Sequence, residues 1–327
     1  MTAGPLRGSL VPLVTPFDND LKVDYDTYAS LVDRQVAGGS HGVVVTGTSG
    51  EPSSLTVSER AQLVRVAVQA SAGRLPIVAA TGSESLAATV DLTRQAQAAG
   101  ADAVLVVTPY YSAPPQRGLV QYFTEVGRNT DLPLLIYHIP GRAAVTISVH
   151  SVAEIADRLP TLAGMKYAGR DLGYLTDLFS RLGRDFTVFG GLEELSLPML
   201  AVGAQGLMNA VANMLPGPVA ELVHAVDLGD LSRARDLHFR LDRLNKAIFW
   251  DTNPIPIKYL LQRTGVLPVA RHRLPLLPAP PELQARLDEL LGELGDLVPV
   301  AVQMTAPAAG RPASLAGCRS HTGSGEQ

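Results

Sequence analysis

A chain of 327 residues with 46% hydrophobic and 18% charged residues carries enough apolar material for one large folded unit, which excludes the disordered and fibrous classes. The net charge of −4 is dispersed with no Lys/Arg run, which argues against a nucleic-acid partner. The single cysteine, Cys318, excludes a disulfide framework; no run of about 18 apolar residues marks a membrane span, and Met1–Gly8 lacks a leader pattern, so a cytoplasmic, membrane-free protein is expected.

Short apolar runs then alternate with segments of helical period. Strands are predicted at Ser9–Val14, Gly42–Thr46, Pro76–Ala80, Ala103–Thr108, Pro133–Tyr137, Leu162–Lys166, Phe186–Phe189 and Gly206–Met208. Helices are predicted between them at Tyr25–Ala37, Val57–Ala72, Ser85–Ala99, Leu119–Arg128, Val149–Arg158, Leu172–Leu182 and Leu192–Val202. Gly38, Gly73 and Gly100 supply stop signals. Strands that are apolar throughout fit a parallel sheet covered by helices on its faces. Eight strand–helix units over roughly 220 residues match a closed α/β barrel of (β/α)8 (TIM) type. The competing doubly wound sheet would want a glycine-rich phosphate loop after a strand, and no GxGxxG follows any of them.

Beyond residue 228 the alternation stops. Leu231–Trp250, Ile255–Arg263 and Pro281–Leu297 read as helices with no strand between them. The expected organisation is a catalytic barrel over 1–228, a C-terminal helical region over 229–300, and a disordered Ala/Pro/Gly/Ser-rich tail over 301–327.

Barrels of this type hold their sites at the C-terminal strand ends. Gly47-Thr48-Ser49-Gly50-Glu51 follows the second strand, Pro109-Tyr110-Tyr111 the fourth, and Tyr137 ends the fifth, with Pro140-Gly141-Arg142 beyond. Lys166, one of only four lysines, ends the sixth. Desolvation there would favour a neutral amine, which attacks carbonyls to form imines. Taken alone, Lys166 fits a rim ion pair equally well. The surrounding groups favour the imine. The Thr48–Gly50 turn offers hydroxyls and backbone N–H groups for a carboxylate, and Thr48, Tyr111 and Tyr137 could pass protons. Arg142 could clamp a second carboxylate. Each of these has a plainer alternative: an ordinary connection for the glycine turn, rim or subunit packing for the tyrosines, a solvated charge for Arg142.

The motifs GTSGE (47–51), TPYY (108–111), YHIPGR (137–142), GMK (164–166) and NPIPIK (253–258) together resemble the dihydrodipicolinate synthase / N-acetylneuraminate lyase family of class I aldolases. The resemblance runs from Gly8 to Leu297. It implies a barrel with a C-terminal helical region, a homotetramer, and a 2-oxo acid such as pyruvate as substrate. It implies Lys166 as the Schiff-base lysine and Tyr137 as its proton shuttle. Thr48 and Tyr111 complete the relay, with Tyr111 reaching into a neighbouring subunit. Thr48, Ser49 and Gly50 would hold the pyruvate carboxylate and Arg142 that of the second substrate. Met208, Tyr167 and Glu193 join the expected substrate-binding set.

Arg142 and Asn253–Lys258 are synthase-like, which favours condensation of pyruvate with L-aspartate 4-semialdehyde, giving 4-hydroxy-tetrahydrodipicolinate. Lys166-Tyr167-Ala168-Gly169-Arg170-Asp171 and Gly191-Leu192-Glu193-Glu194 look more like the lyase branch. The alternative is therefore a lyase or dehydratase acting on a 2-keto-3-deoxy sugar acid, a 4-hydroxy-2-oxo acid or N-acetylneuraminate; a silent 2-oxo-acid-binding barrel ranks last. Glu193-Glu194 also fits a helix N-terminus. Glu84 and Ala88 depart from the ligands of lysine-inhibited relatives, so little or no lysine inhibition is expected. No metal or cofactor is expected, because no closely spaced ligand set occurs at the strand ends and a protonated imine is itself an electron sink.

Overall fold

The computed structural model describes residues 6–298. The tail expected over 301–327 lies outside them. Eight parallel strands close into a barrel in sequence order: β1 (Gly8–Pro12), β2 (Gly42–Val45), β3 (Ile77–Ala80), β4 (Ala103–Val107), β5 (Leu134–His138), β6 (Leu162–Tyr167), β7 (Thr187–Gly190) and β8 (Gly206–Leu207). The ring closes where Gly8 pairs with Gly206. A Cβ at Gly206 would come within 2.1 Å of the Gly8 carbonyl oxygen, so only glycine lets the two strands meet there.

Between strands run α1 (Tyr25–Ala37), α2 (Val57–Ser71), α3 (Leu86–Ala98), α4 (Gln116–Gly127), α5 (Pro140–Ala143), α6 (Val149–Arg158), α7 (Leu172–Leu182) and α8 (Ser196–Val202). Asp24, Ser85, Ser148 and Asp171 cap α1, α3, α6 and α7 by accepting backbone N–H bonds. Thr56 and Glu59 cap α2 reciprocally. After β8 come α9 (Pro216–Asp227), α10 (Leu231–Ala247), α11 (Ile255–Arg263) and α12 (Pro281–Glu293). Here α10 packs on α9, and α11 on α12.

Strand residues alternate between two cores. Leu10, Val44, Val78, Leu105, Leu135 and Phe189 fill the barrel interior. Val11, Val43, Val45, Val104, Ile136 and Val188 face the helices, and Leu237, Leu241 and Leu244 of α10 join that outer core.

The structure departs from the sequence expectation in several details. The helices α5 and α9 went unpredicted. The single helix expected over Leu192–Val202 opens with a 3-10 turn, Glu193–Leu195, before α8. The helix expected to reach Leu297 ends at Glu293, followed by a 3-10 turn.

Candidate active site

A cavity of about 370 Å³ opens at the C-terminal ends of β2 to β5, lined among others by Thr48, Glu51, Tyr110, Tyr137, Arg142 and Asn253. Its floor is set by strand register. Tyr137 on β5 pairs with Lys166 on β6, so both side chains point inward at the same height. Lys166 is 5% exposed, and its Nζ lies 4.4 Å from the Tyr137 ring centroid. It makes no hydrogen bond or ion pair with any described residue, so the rim ion pair is not formed. A Cβ at Gly191 would lie 2.8 Å from Lys166 Cε, so glycine there gives the lysine chain its room.

The Thr48–Gly50 turn is a single 3-10 turn, closed by Gly50 N–H donating to the Gly47 carbonyl at 2.8 Å. Thr48 Oγ1 and Tyr137 Oη are 3.3 Å apart, a long contact of the kind that tightens when a ligand arrives. Ser49 is buried and accepts a hydrogen bond from Asn253 Nδ2 at 3.0 Å. The Gly50 carbonyl accepts from Thr15 Oγ1 at 2.8 Å. Arg142, on α5, is exposed at the mouth and lines the cavity. Tyr110 faces the cavity, whereas Tyr111 projects outward, 98% exposed, with a left-handed backbone at φ 68°.

Of the expected binding residues Thr48 and Arg142 line the cavity; Ser49 and Gly50 do not, and neither do the remaining three, Tyr167, Met208 and Glu193. Tyr167 follows Lys166 on one strand and so points the opposite way. It is buried under the helices in a three-ring cluster with His138 and Tyr174, each pair of near-parallel rings 5.0–5.4 Å apart, and its hydroxyl donates to the Asp171 carbonyl. This corrects the expectation that it lines a substrate pocket. Met208 is buried in the barrel interior beside Phe189. Glu193 is 3% exposed, and its carboxylate accepts the Ala210 backbone N–H at 2.7 Å. Burial pushes Glu193 up to about 7, while that N–H and the Lys166 charge pull it down. In the free protein it works as an internal tether, and Glu193 and Glu194 stand in the first turn of the 3-10 segment Glu193–Leu195, as the helix-terminus reading expects.

Sequence reasoning passed over a buried ion network directly beneath the cavity. Glu51 Oε1 accepts from Lys258 Nζ at 2.8 Å and lies 3.2 Å from His272 Nδ1. Burial raises the Glu51 carboxyl, but the His272 hydrogen bond and the Lys258 charge outweigh it and hold the group below its ordinary range. Beside it Arg273 forms a two-pronged pair with Glu59 at 2.9 and 2.7 Å. Among the described residues, no group of three or more His, Cys, Asp or Glu could hold a metal ion, and no helix is long and apolar enough to cross a membrane.

Residues 5–294 match the dihydrodipicolinate synthetase family. The chain is 47% identical over 290 residues to 4-hydroxy-tetrahydrodipicolinate synthase of Thermus thermophilus, covering 88% of this chain and 96% of that one. It is 38% identical to the enzyme of the same name from Aquifex aeolicus over 285 residues, 87% of this chain and 96% of the other. The crystal structure of dihydrodipicolinate synthase from Aquifex aeolicus superposes with a TM-score of 0.86 at 38% identity, covering 88% and 98% of the two chains. A monomeric dihydrodipicolinate synthase variant superposes at 0.85 with 34% identity, covering 88% and 97%. The chain belongs to the dihydrodipicolinate synthetase family.

Proposed function

We propose that this family member is a 4-hydroxy-tetrahydrodipicolinate synthase, a lyase of the class I aldolase type. It joins pyruvate to L-aspartate 4-semialdehyde through an imine on Lys166. The observation that carries the reading is the row Lys166–Tyr137–Thr48: a buried amine with no ion-pair or hydrogen-bond partner among the described residues, over the ring of a tyrosine that lines the cavity and whose hydroxyl meets Thr48. The 47% identity to a synthase over nearly the whole chain supports the same assignment.

On this reading the neutral Lys166 amine attacks C2 of pyruvate. Tyr137 supplies and removes the protons that let water leave, with Thr48 next in the relay. The protonated imine acidifies C3, the resulting enamine adds to the aldehyde carbon, and the amino group of the adduct then attacks the imine carbon, closing the ring and releasing the Lys166 amine. The pyruvate carboxylate sits on the Thr48–Gly50 turn, and Arg142 takes the carboxylate of the aldehyde substrate at the mouth. Tyr111, projecting from the protomer in a left-handed conformation, would meet the site of a neighbouring copy in a homotetramer. The outward face of Tyr167 and the tethered Glu193 count against a sugar-acid lyase. The absence of lysine inhibition belongs to the same proposal.

The test is turnover with pyruvate and L-aspartate 4-semialdehyde, following both substrates and the cyclic product. Equal consumption of the two is expected. Cleavage of N-acetylneuraminate or a 2-keto-3-deoxy sugar acid, with the semialdehyde untouched, would overturn the assignment.

A further inference from the structure

The Thr48–Gly50 turn and Glu51 are gripped from behind by the segment 253–272. Asn253 Nδ2 donates to Ser49 Oγ at 3.0 Å. Lys258 Nζ donates to the Thr15 carbonyl at 2.9 Å, and the Thr15 hydroxyl donates to the Gly50 carbonyl at 2.8 Å. The same ammonium donates to Glu51 Oε1 and to the Arg271 carbonyl. His272 Nδ1 completes the set at Glu51 Oε1. The side chains of Glu51, Lys258 and His272 are 1%, 0% and 1% exposed.

Fold stability alone does not explain this cluster. A buried ion pair loses much of its attraction to desolvation, and apolar side chains of equal volume often hold a fold as well. Glu51 also takes a left-handed backbone, φ 54°, which is unfavourable for a residue other than glycine. Its Oε2 and the His272 Nε2 have no hydrogen-bond partner among the described residues, so the polar cost is only partly offset. Lys258, by contrast, has three acceptors for its three donors. What the network does is fix the geometry of residues 48–51, with Asn253, Lys258 and His272 of the C-terminal helical region gripping Ser49 and Glu51 and, through Thr15, Gly50.

We infer that Glu51 is a positioning residue: clamped by Lys258 and His272, it holds the Thr48–Gly50 turn in the form that accepts the 2-oxo-acid carboxylate. Affinity for that carboxylate then depends on the docking of the C-terminal segment and on Glu51 being ionised. The inference rests on the imine reading of the same site.

Three cationic or titratable groups bear on Glu51. Lys258 comes from α11, and His272 and Arg273 from the segment after it; Arg273 is already paired with Glu59. Protonation of Glu51 releases the clamp as pH falls through its depressed folded pKa. Removal of the His272 donor raises that pKa, so the clamp is lost at a higher pH.

The test compares full-length His272→Leu and His272→Asn with the parent, reading kcat, both KM values, their pH profiles and thermal melting. In His272→Leu the pyruvate KM should rise about tenfold toward acid pH, the scale of one lost hydrogen bond to a charged group. Its acid limb should shift to higher pH, while the aldehyde KM stays within about twofold and any fall in kcat, transmitted through Thr48, is smaller than the rise in pyruvate KM. His272→Asn, whose amide N–H can take the place of Nδ1–H, should restore the parent profile. An unchanged pyruvate KM and profile in His272→Leu would overturn the inference. So would a joint decline of all constants with melting temperature that His272→Asn does not repair. If His272→Leu fails to fold, Glu51→Gln replaces it: a flattened acid limb supports the inference and an unchanged limb sinks it. A parent protein that forms no pyruvate adduct on borohydride reduction removes the underlying imine reading, whereas an adduct with an unaltered KM in the variants removes this inference alone.

Discussion

Tyr137 and Lys166 are register partners across β5 and β6, and the lysine ammonium lies over the tyrosine ring at 4.4 Å from its centroid. The tyrosine hydroxyl lies 3.3 Å from Thr48, so one side chain spans from the amine to the turn after β2. Replacing Tyr137 by Phe keeps the ring beneath Lys166 and removes only the hydroxyl. A fall in kcat of about 10²–10⁴-fold is expected, the usual worth of a positioned proton donor, with the fold intact. Steady-state kinetics alongside a thermal melt check this; unchanged turnover would take Tyr137 out of the relay.

Arg142 stands at the mouth and makes no ion pair with any described residue, so its guanidinium is available to a ligand. Arg142→Ala should raise the KM for the aldehyde substrate by about ten- to a hundredfold, the scale of a lost charge-assisted hydrogen bond, and leave pyruvate KM alone. Equal rises for both substrates would count against this role.

Tyr111 holds a left-handed backbone and exposes nearly all of its side chain. If a second copy receives it, specific activity should fall as the protein is diluted below its assembly concentration. Tyr111→Phe should lower kcat without changing the oligomer seen by sedimentation. Full activity in a proven monomer would remove Tyr111 from the site.

Glu59 is held at about 2, first by its hydrogen bond from Arg273, with burial opposing. A carboxylate whose folded pKa is depressed stabilises the fold above its unfolded pKa, and that contribution disappears as pH falls through the folded value. The Glu59–Arg273 pair therefore stabilises the docked 273 segment at neutral pH and weakens from about pH 4.5 toward about pH 2. Glu59→Gln should cost about 1–3 kcal/mol at neutral pH and flatten the acid limb of the melting curve. Parallel acid limbs in the two proteins would contradict the assignment.

The barrel was legible because all eight strands are short, apolar and bounded, and their periods differ from those of the helices. The helix α9 was not, because Pro216-Gly217-Pro218 reads as a turn, although proline is well tolerated in a first helical turn. Lys166, Tyr137, Thr48 and Arg142 were found at or just beyond strand ends; the last three line one cavity, and Lys166 lies against the Tyr137 ring. Tyr167 was misplaced against a rule the sequence itself supplies: neighbours on a strand face opposite ways. The Glu51–Lys258–His272 cluster joins residues more than two hundred positions apart, and no local pattern encodes such a contact. Its one signal is a lysine set within the apolar run Ile255-Pro256-Ile257-Lys258-Tyr259-Leu260-Leu261.

The most direct measurement is borohydride reduction in the presence of pyruvate, followed by intact and peptide mass spectrometry of the parent and of Lys166→Ala. The account predicts a single pyruvate-sized adduct on the peptide carrying Lys166, and none in the variant. A folded parent protein that stays unmodified, or an adduct on Lys258 instead, would contradict it.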